Sequence, residues 1–422
     1  MSNHTNVPDS VEEQIRKEFA STEYNDFTWG ETPIRLSKPT YGAEEVLESL
    51  DSLMSTWVTM GDKVESFEDQ WADYVGTKHS TMVNSGSSAN LLALKALEGD
   101  VIEPGDEVIV PAVSWSTSIF PIVDVNAKPV LVDVDPSTYT IDVESFKEAI
   151  SDDTAAVLLV HLLGNPCEME PIMEICSDHD IAIIEDSCEA HGAEYDGQKV
   201  GSFGDIGTFS FFFSHHISTI EGGMITTNSD MYLERTRTSR AHGWVRELEN
   251  KEKYTSRSPD IDERFLFVSH GYNLRPTEIQ GAFGMHQLDK LERFIDIRRE
   301  NARKLNNRLE NYDDMFNILE ERANTRNSWF AYPLLVRNDA PFTRDELQTH
   351  LEDNLIETRP ILAGNLARQP ALQQIDHKQV GDLSSSEIIH ENGLFIGNHH
   401  GIRDSQREYI LETIQDFVEN HS

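Results

Sequence analysis

The chain has 422 residues, 38% of them hydrophobic, enough to bury a full core in a large domain with a smaller one beside it. Its net charge of −39, from 74 acidic against 35 basic side chains, excludes a nucleic-acid partner, because most of the surface repels phosphate backbones. No apolar run is long enough to cross a bilayer, and the polar start MSNHTNVPDSVEEQIRKEF lacks the basic-then-apolar order of a signal peptide, so a cytoplasmic location with no membrane contact is expected.

Residues 1–34 read as a polar extension in which SVEEQIRKEF carries one helical pattern. A large domain is expected over 35–290 and a smaller α+β domain over 291–422. From about Lys78 to Asn228, short β-branched runs alternate with helical stretches: EVIVPAV, VLVDVD, AAVLLVHL, IAIIED, GTFSFFF and GMITTN. This alternation predicts the α/β class, with a mostly parallel sheet covered by helices and ligands bound beyond the carboxyl ends of its strands.

The motifs fall at those ends. Asn84-Ser85-Gly86-Ser87-Ser88-Ala89-Asn90 precedes the helical LLALKALEG, so small residues and hydroxyls stand at a helix N-terminus that suits a phosphate, although a serine there serves equally as an N-cap. Trp115 follows EVIV and places a flat ring at the mouth of the sheet or in the core. Asp186 ends IAIIED, where a carboxylate is costly unless it meets a cation or caps a helix. An anionic ligand in so acidic a chain needs a local group of arginines, and Arg240, Arg246, Arg275 and Arg359 are candidates that could equally form surface ion pairs. Three cysteines without C-x-x-C spacing support neither a disulfide framework nor zinc, and the adjacent pairs His215-His216 and His399-His400 lack a third ligand at metal spacing. Beyond the helical KLERFIDIRRENARKLNNRLEN, the strand-like NSWFAYPLLV and helix-like TRDELQTHLEDN make up the α+β part.

From about Ile34 to its C-terminus the chain resembles the DegT-type sugar aminotransferases and dehydratases, a branch of the fold-type I pyridoxal phosphate enzymes. The most telling stretch is Phe209–Gly223, FSFFFSHHISTIEGG, which is similar to the segment carrying that family's cofactor lysine. The lysine column falls on His215; the spacing to Ser210 and the E-G-G that follows favour this register over His216. A lysine amine can hold the cofactor aldehyde covalently, whereas an imidazole cannot, though it can move protons near neutral pH. The resemblance implies an aspartate-aminotransferase-like fold and a homodimer with shared active sites. It places Gly86, Ser87, Ser88 and Ser210 at the cofactor phosphate, Trp115 over the pyridine ring, Asp186 at its nitrogen and Glu189 at its hydroxyl. Asn273, in HGYNLRP, would reach the phosphate from the second subunit, with Arg246, Arg275 and Arg359 on the substrate side.

Family members with histidine in the lysine column are 3-dehydratases. The implied activity is a lyase reaction in deoxysugar and polysaccharide biosynthesis: pyridoxamine phosphate, restored from pyridoxal phosphate by glutamate, supports loss of the C3 hydroxyl from a nucleotide-linked 4-keto-6-deoxyhexose, with GDP-4-keto-6-deoxymannose the expected substrate. His215 would act first as base and then as acid. One type of such dehydratase holds an iron–sulfur cluster on four cysteines, but here only Cys188 falls at a ligand position and Arg240–Arg257 contains none, so no cluster is expected. MGDKVESFE, LLGNP, RAHGW and NGLFIGNHH match the cluster-free type, while the extension and AGNLARQP resemble the other, leaving GDP or CDP open. The alternatives are a nucleotide-sugar aminotransferase and a non-catalytic sugar-nucleotide binder.

Overall fold

The computed structural model describes residues 6–22, 27–248, 250–319 and 321–421. Eight strands form the main sheet, in the order His79–Val83, Gly223–Thr227, Ile206–Ser210, Ala182–Asp186, Thr154–Val160, Glu107–Pro111, Lys128–Val132 and Lys378–Gln379. Only Gly223–Thr227 runs against the others. Runs such as AAVLLV are apolar at every position because helices cover both faces, as parallel sheets require. The register is what assembles the site: Val83 lies beside Gly223, Gly223 beside Ser210, Thr208 beside Asp186, and Asp186 beside Val160. The carboxyl ends of four strands and the start of the antiparallel one therefore open onto one edge.

Local alternation aims the side chains. Phe209 and Phe211 are buried against Trp71, with ring centroids 5.0 and 4.9 Å from its ring, so Ser210 between them faces the other way. That aromatic cluster is the floor on which the following turn, with His215, is built.

A second, antiparallel sheet orders Phe316–Asn317, Tyr332–Val336, Gly393–Ile396 and Thr358–Pro360, with helices Arg344–Asp353 and Asp404–His421 packed together beside it. The helix Glu278–Leu309 runs unbroken through residue 290, so the boundary expected there falls inside one element. Its buried stripe of Leu291, Phe294, Ile295, Ala302 and Leu305 carries a single apolar face across that point. The C-terminal part also returns to the large sheet, because Lys378–Gln379 pairs in parallel with Lys128–Val132. In the extension, helix Asp9–Thr22 is joined to the body by an Arg16–Glu44 ion pair at 2.5 Å. Among the described residues no helix is long and apolar enough to cross a membrane.

Candidate active site

A cavity of about 420 Å³ lies at the open edge of the main sheet. Its lining includes Gly86, Ser87, Trp115, Asp186, Glu189, Ser210 and His215, seven of the residues expected from the sequence.

At one end, Ser85 caps the helix Gly86–Leu97 by accepting the Ser88 N–H at 3.1 Å, and the Ser88 hydroxyl is turned to Asn84 Oδ1 at 2.7 Å. Ser88 is therefore spent on the cap and lies outside the lining, while Ser87 presents its exposed side chain to the cavity. The turn is pressed close to its neighbours: a Cβ on Gly86 would lie 2.5 Å from Cβ of Ser210, and one on Gly223 would lie 2.3 Å from the Ser85 carbonyl oxygen. Only glycine permits this approach, which is why E-G-G follows the histidine segment. The helix N-terminus with the Ser87 and Ser210 hydroxyls makes a cradle for a phosphate.

Deeper in, Asp186 is 5% exposed. Its Oδ2 accepts from Asn90 Nδ2 at 2.7 Å and from Ser118 Oγ at 2.9 Å, and its Oδ1 accepts from the Cys188 N–H at 3.1 Å. Thr208 Oγ1 donates to Asn90 Oδ1 at 2.6 Å and so fixes which way that amide faces. These donors are neutral. Among the described residues no cation pairs with Asp186, so its buried charge is oriented but not compensated. Glu189 accepts the Leu163 N–H at 2.9 Å, and burial together with the Asp186 charge pushes its carboxyl up to about 8. At neutral pH it is a hydrogen-bond donor to the cavity. Trp115, 56% exposed, stands at the mouth as the residue preceding helix Ser116–Asp124.

His215 lines the cavity, whereas His216 is fully buried and turned away, with Nε2 donating to the Ser328 carbonyl at 3.0 Å. Nδ1 of His215 is enclosed without a hydrogen-bond partner, which leaves Nε2 as the nitrogen the cavity can reach. Burial, and after it the charge of Arg298, push the imidazole down to about 3, so the free ring is neutral.

The arginines lie elsewhere. Arg240 is buried in an ion pair with Glu68 at 2.6 Å and donates to the Met82 carbonyl at 2.7 Å, which makes it a structural group and removes it as a ligand for substrate. Arg246 is exposed, 5.8 Å from the Trp244 ring, beside a separate cavity with Glu65 and Glu68. Arg275 donates from Nε to Asn273 Oδ1 at 3.0 Å, and Asn273 is exposed; neither lines the cavity in this single chain. Arg359 is also exposed, but it stands directly opposite Phe395 in the second sheet, and Phe395 lines the cavity. Opposed residues share a face, but Arg359 itself is outside the lining, and its Nη1 donates to the Thr358 carbonyl at 2.8 Å.

Several lining residues escaped the sequence reading. Asn90 and Ser118 are polar residues on helices whose partner, Asp186, is remote in the chain; Asn90 sat at the end of a motif already singled out, and its position one turn beyond Gly86 was the available signal. Leu362, Phe330 and Phe395 arrive from the C-terminal part through the tertiary fold and carry no local signal.

The cavity fits a pyridine cofactor with a phosphate tail: a cradle for the anion, an uncompensated carboxylate for a protonated ring nitrogen, a protonated Glu189 for a ring oxygen and an indole for the ring face. No lysine lines it among the described residues.

Comparison with known proteins identifies relatives of the whole chain. The GDP-4-keto-6-deoxy-D-mannose 3-dehydratase of Escherichia coli O55:H7 is 40% identical over 372 residues, 87% of this chain and 94% of that protein. The solved structure of a GDP-4-keto-6-deoxymannose-3-dehydratase mutant with bound GDP-perosamine matches at a TM-score of 0.86 and 38% identity, covering 90% of this chain and all of that one. Another structure of that enzyme, with a trapped PLP–glutamate geminal diamine, matches at 0.83 and 36% identity over 92% of this chain and 100% of that one. The model of the DegT/DnrJ/EryC1/StrS aminotransferase family matches residues 39–415, and the chain belongs to that family, with the fold of its pyridoxal phosphate enzymes.

Proposed function

We propose that the protein removes the C3 hydroxyl from a nucleotide-linked 4-keto-6-deoxyhexose, with GDP-4-keto-6-deoxymannose as substrate and glutamate as amino donor, giving a 4-keto-3,6-dideoxy sugar. The observation that carries this reading is His215, in the family's lysine column, lining a cavity in which no lysine stands among the described residues. The similar 3-dehydratases support the choice of sugar and nucleotide.

Pyridoxamine phosphate, when bound, supplies an amine for the keto group and a ring that draws off electron density. Ser87, Ser210 and the N-terminus of the helix Gly86–Leu97 would hold its phosphate, and Trp115 would cover its ring. Asp186 would keep the ring nitrogen protonated, and Glu189 would donate to the ring oxygen. His215 takes up a proton at Nε2 and delivers it to the departing C3 oxygen, which leaves as water. Among the described residues no lysine lines the cavity to recapture the cofactor, so hydrolysis would release the sugar and ammonia.

The active unit on this reading is a homodimer. Among the described residues the cavity has no lysine or arginine, yet cofactor, glutamate and nucleotide sugar are all anionic. Asn273 and Arg275 stand outside it, and Phe213 and Ile220 flank the His215 turn with 53% exposure each, an apolar surface suited to a second copy. The partner subunit would then bring the missing polar contacts.

The test is to incubate the protein with pyridoxal phosphate, glutamate and GDP-4-keto-6-deoxymannose, following ammonia and the mass of the sugar. Ammonia with a 3,6-dideoxy product supports the reading. An amino sugar would identify an aminotransferase, and no turnover would favour a binding protein.

A further inference from the structure

Phe330 forms part of the cavity wall, with its ring centroid 5.2 Å from that of His215 and the planes tilted by 45°. The backbone that carries it is unusual: Trp329 has a φ of 50°, a left-handed conformation that a bulky side chain avoids. Such a conformation persists only where the surroundings over-determine it. Much of that work falls to Arg298, 2% exposed in the helix Glu278–Leu309. Its Nη1 donates to the carbonyls of Phe330 at 2.6 Å and Trp329 at 3.4 Å, and also to that of Asn398. Asn398 in turn donates from Nδ2 to the carbonyls of Arg298 and Trp329, each at 3.2 Å. On the other side, the N–H groups of Ser328 and Phe330 donate to Gly164 and Leu163 at 3.0 Å, in the loop that also holds Glu189. Arg240 meets Glu68, but Arg298 meets no carboxylate among the described residues. A buried guanidinium without a counter-charge is expensive, which points to a use for the charge.

We propose that Arg298 is a positioning residue for the acid–base work of His215: through the Trp329 and Phe330 carbonyls it seats the Phe330 ring against the imidazole, and its uncompensated charge disfavours a second cation there. The inference rests on the reading of His215 as the proton-transferring group. Other groups face the same ring. His191 lies 5.8 Å away, and it and His216 are both buried, which pushes both imidazoles well below their ordinary range; at His216 the charge of Arg298 adds to burial. Asp186, Glu189, Glu221 and Cys188 line the cavity that His215 opens onto. Arg298 is the permanent cation in this set.

The test follows the His215 ring by NMR in the full-length protein without cofactor, using isotope-labelled histidine and assigning the signal with His215→Asn. In wild type the ring should stay neutral through the neutral and mildly acidic range. Arg298→Met should raise its midpoint by about one unit or more, and Arg298→Lys, which keeps the charge, should not. The acid limb of the dehydration pH profile should move in the same sense in Arg298→Met and stay in place in Arg298→Lys. Phe330→Ala, which admits water to the ring without touching the guanidinium, should also raise the midpoint, and it carries the test if Arg298→Met does not fold. A folded Arg298→Met that titrates like wild type would overturn the inference, as would an unfolded Arg298→Met together with an unshifted Phe330→Ala. Full dehydration by His215→Asn would instead sink the underlying reading of His215, whatever the NMR shows.

Discussion

The side-chain amide of Asn90 donates to Oδ2 of Asp186 at 2.7 Å, and because Thr208 holds the other end of that amide, the carboxylate has one orientation in the cavity. The relationship joins the phosphate-cradling helix to the strand end that faces the ring, so one side chain sets the distance between the two halves of the cofactor site. Removing it leaves buried groups unsatisfied, at a cost of ~1–3 kcal/mol. Asn90→Ala should weaken cofactor binding by about tenfold or more on that basis. Asp186→Asn should abolish turnover and also the rise in Tm on adding cofactor, while the cofactor-free protein loses little stability because an uncompensated charge has been removed. Thermal melts with and without pyridoxal phosphate check both variants.

Glu189 makes stability depend on pH. Its carboxyl lies at about 8 in the fold against an ordinary 4.5, so between those values the folded protein holds a proton that the unfolded chain has released. The stabilising contribution is complete below the ordinary value and is lost as pH rises toward about 8. Urea denaturation of the cofactor-free protein across that window should show stability falling with pH, and Glu189→Gln should flatten the slope. An unchanged slope in the variant would mean that the carboxyl is ionised in the native state.

Gly223 is a close-approach position with no slack. A Cβ there would meet the Ser85 backbone oxygen at 2.3 Å, and backbone cannot rotate away as a side chain can. Gly223→Ala should cost ~1–3 kcal/mol and push the Ser85–Gly86 turn off the phosphate position. Cofactor titration should show a loss of affinity larger than the loss of stability alone predicts.

A net charge of −39 repels itself at low ionic strength. Raising monovalent salt shortens the screening length to ~3 Å at molar concentration and should raise Tm steadily. A Tm that falls with salt would show that paired charges outweigh the excess.

Much of the fold was legible locally. The apolar runs ending at Pro111, Val160 and Asp186 are strands because helices must cover both their faces, and the F-S-F pattern around Ser210 turns that residue, by alternation, away from the buried phenylalanines and toward the cavity. Other features were not written in any local pattern. Lys378–Gln379 is a polar edge pair that joins the large sheet only because the C-terminal part folds back onto it. Arg240 looks like any exposed arginine until Glu68, far earlier in the chain, is packed against it. Phe330 and Phe395 become lining residues by tertiary approach, and Asn273 has no role that a single chain can display. The proposed choice of His215 over His216 rests on the turn, which points one ring at the cavity and the other at Ser328.

That choice gives the most direct test of the account: the yield of 3,6-dideoxy sugar from GDP-4-keto-6-deoxymannose, glutamate and pyridoxal phosphate, compared between His215→Asn and His216→Asn. The account predicts that the first variant binds cofactor and loses roughly 100-fold or more in dehydration, the scale of a lost acid–base group, while the second, if folded, keeps making the deoxygenated product. Normal dehydration by His215→Asn, with loss confined to His216→Asn, would contradict it.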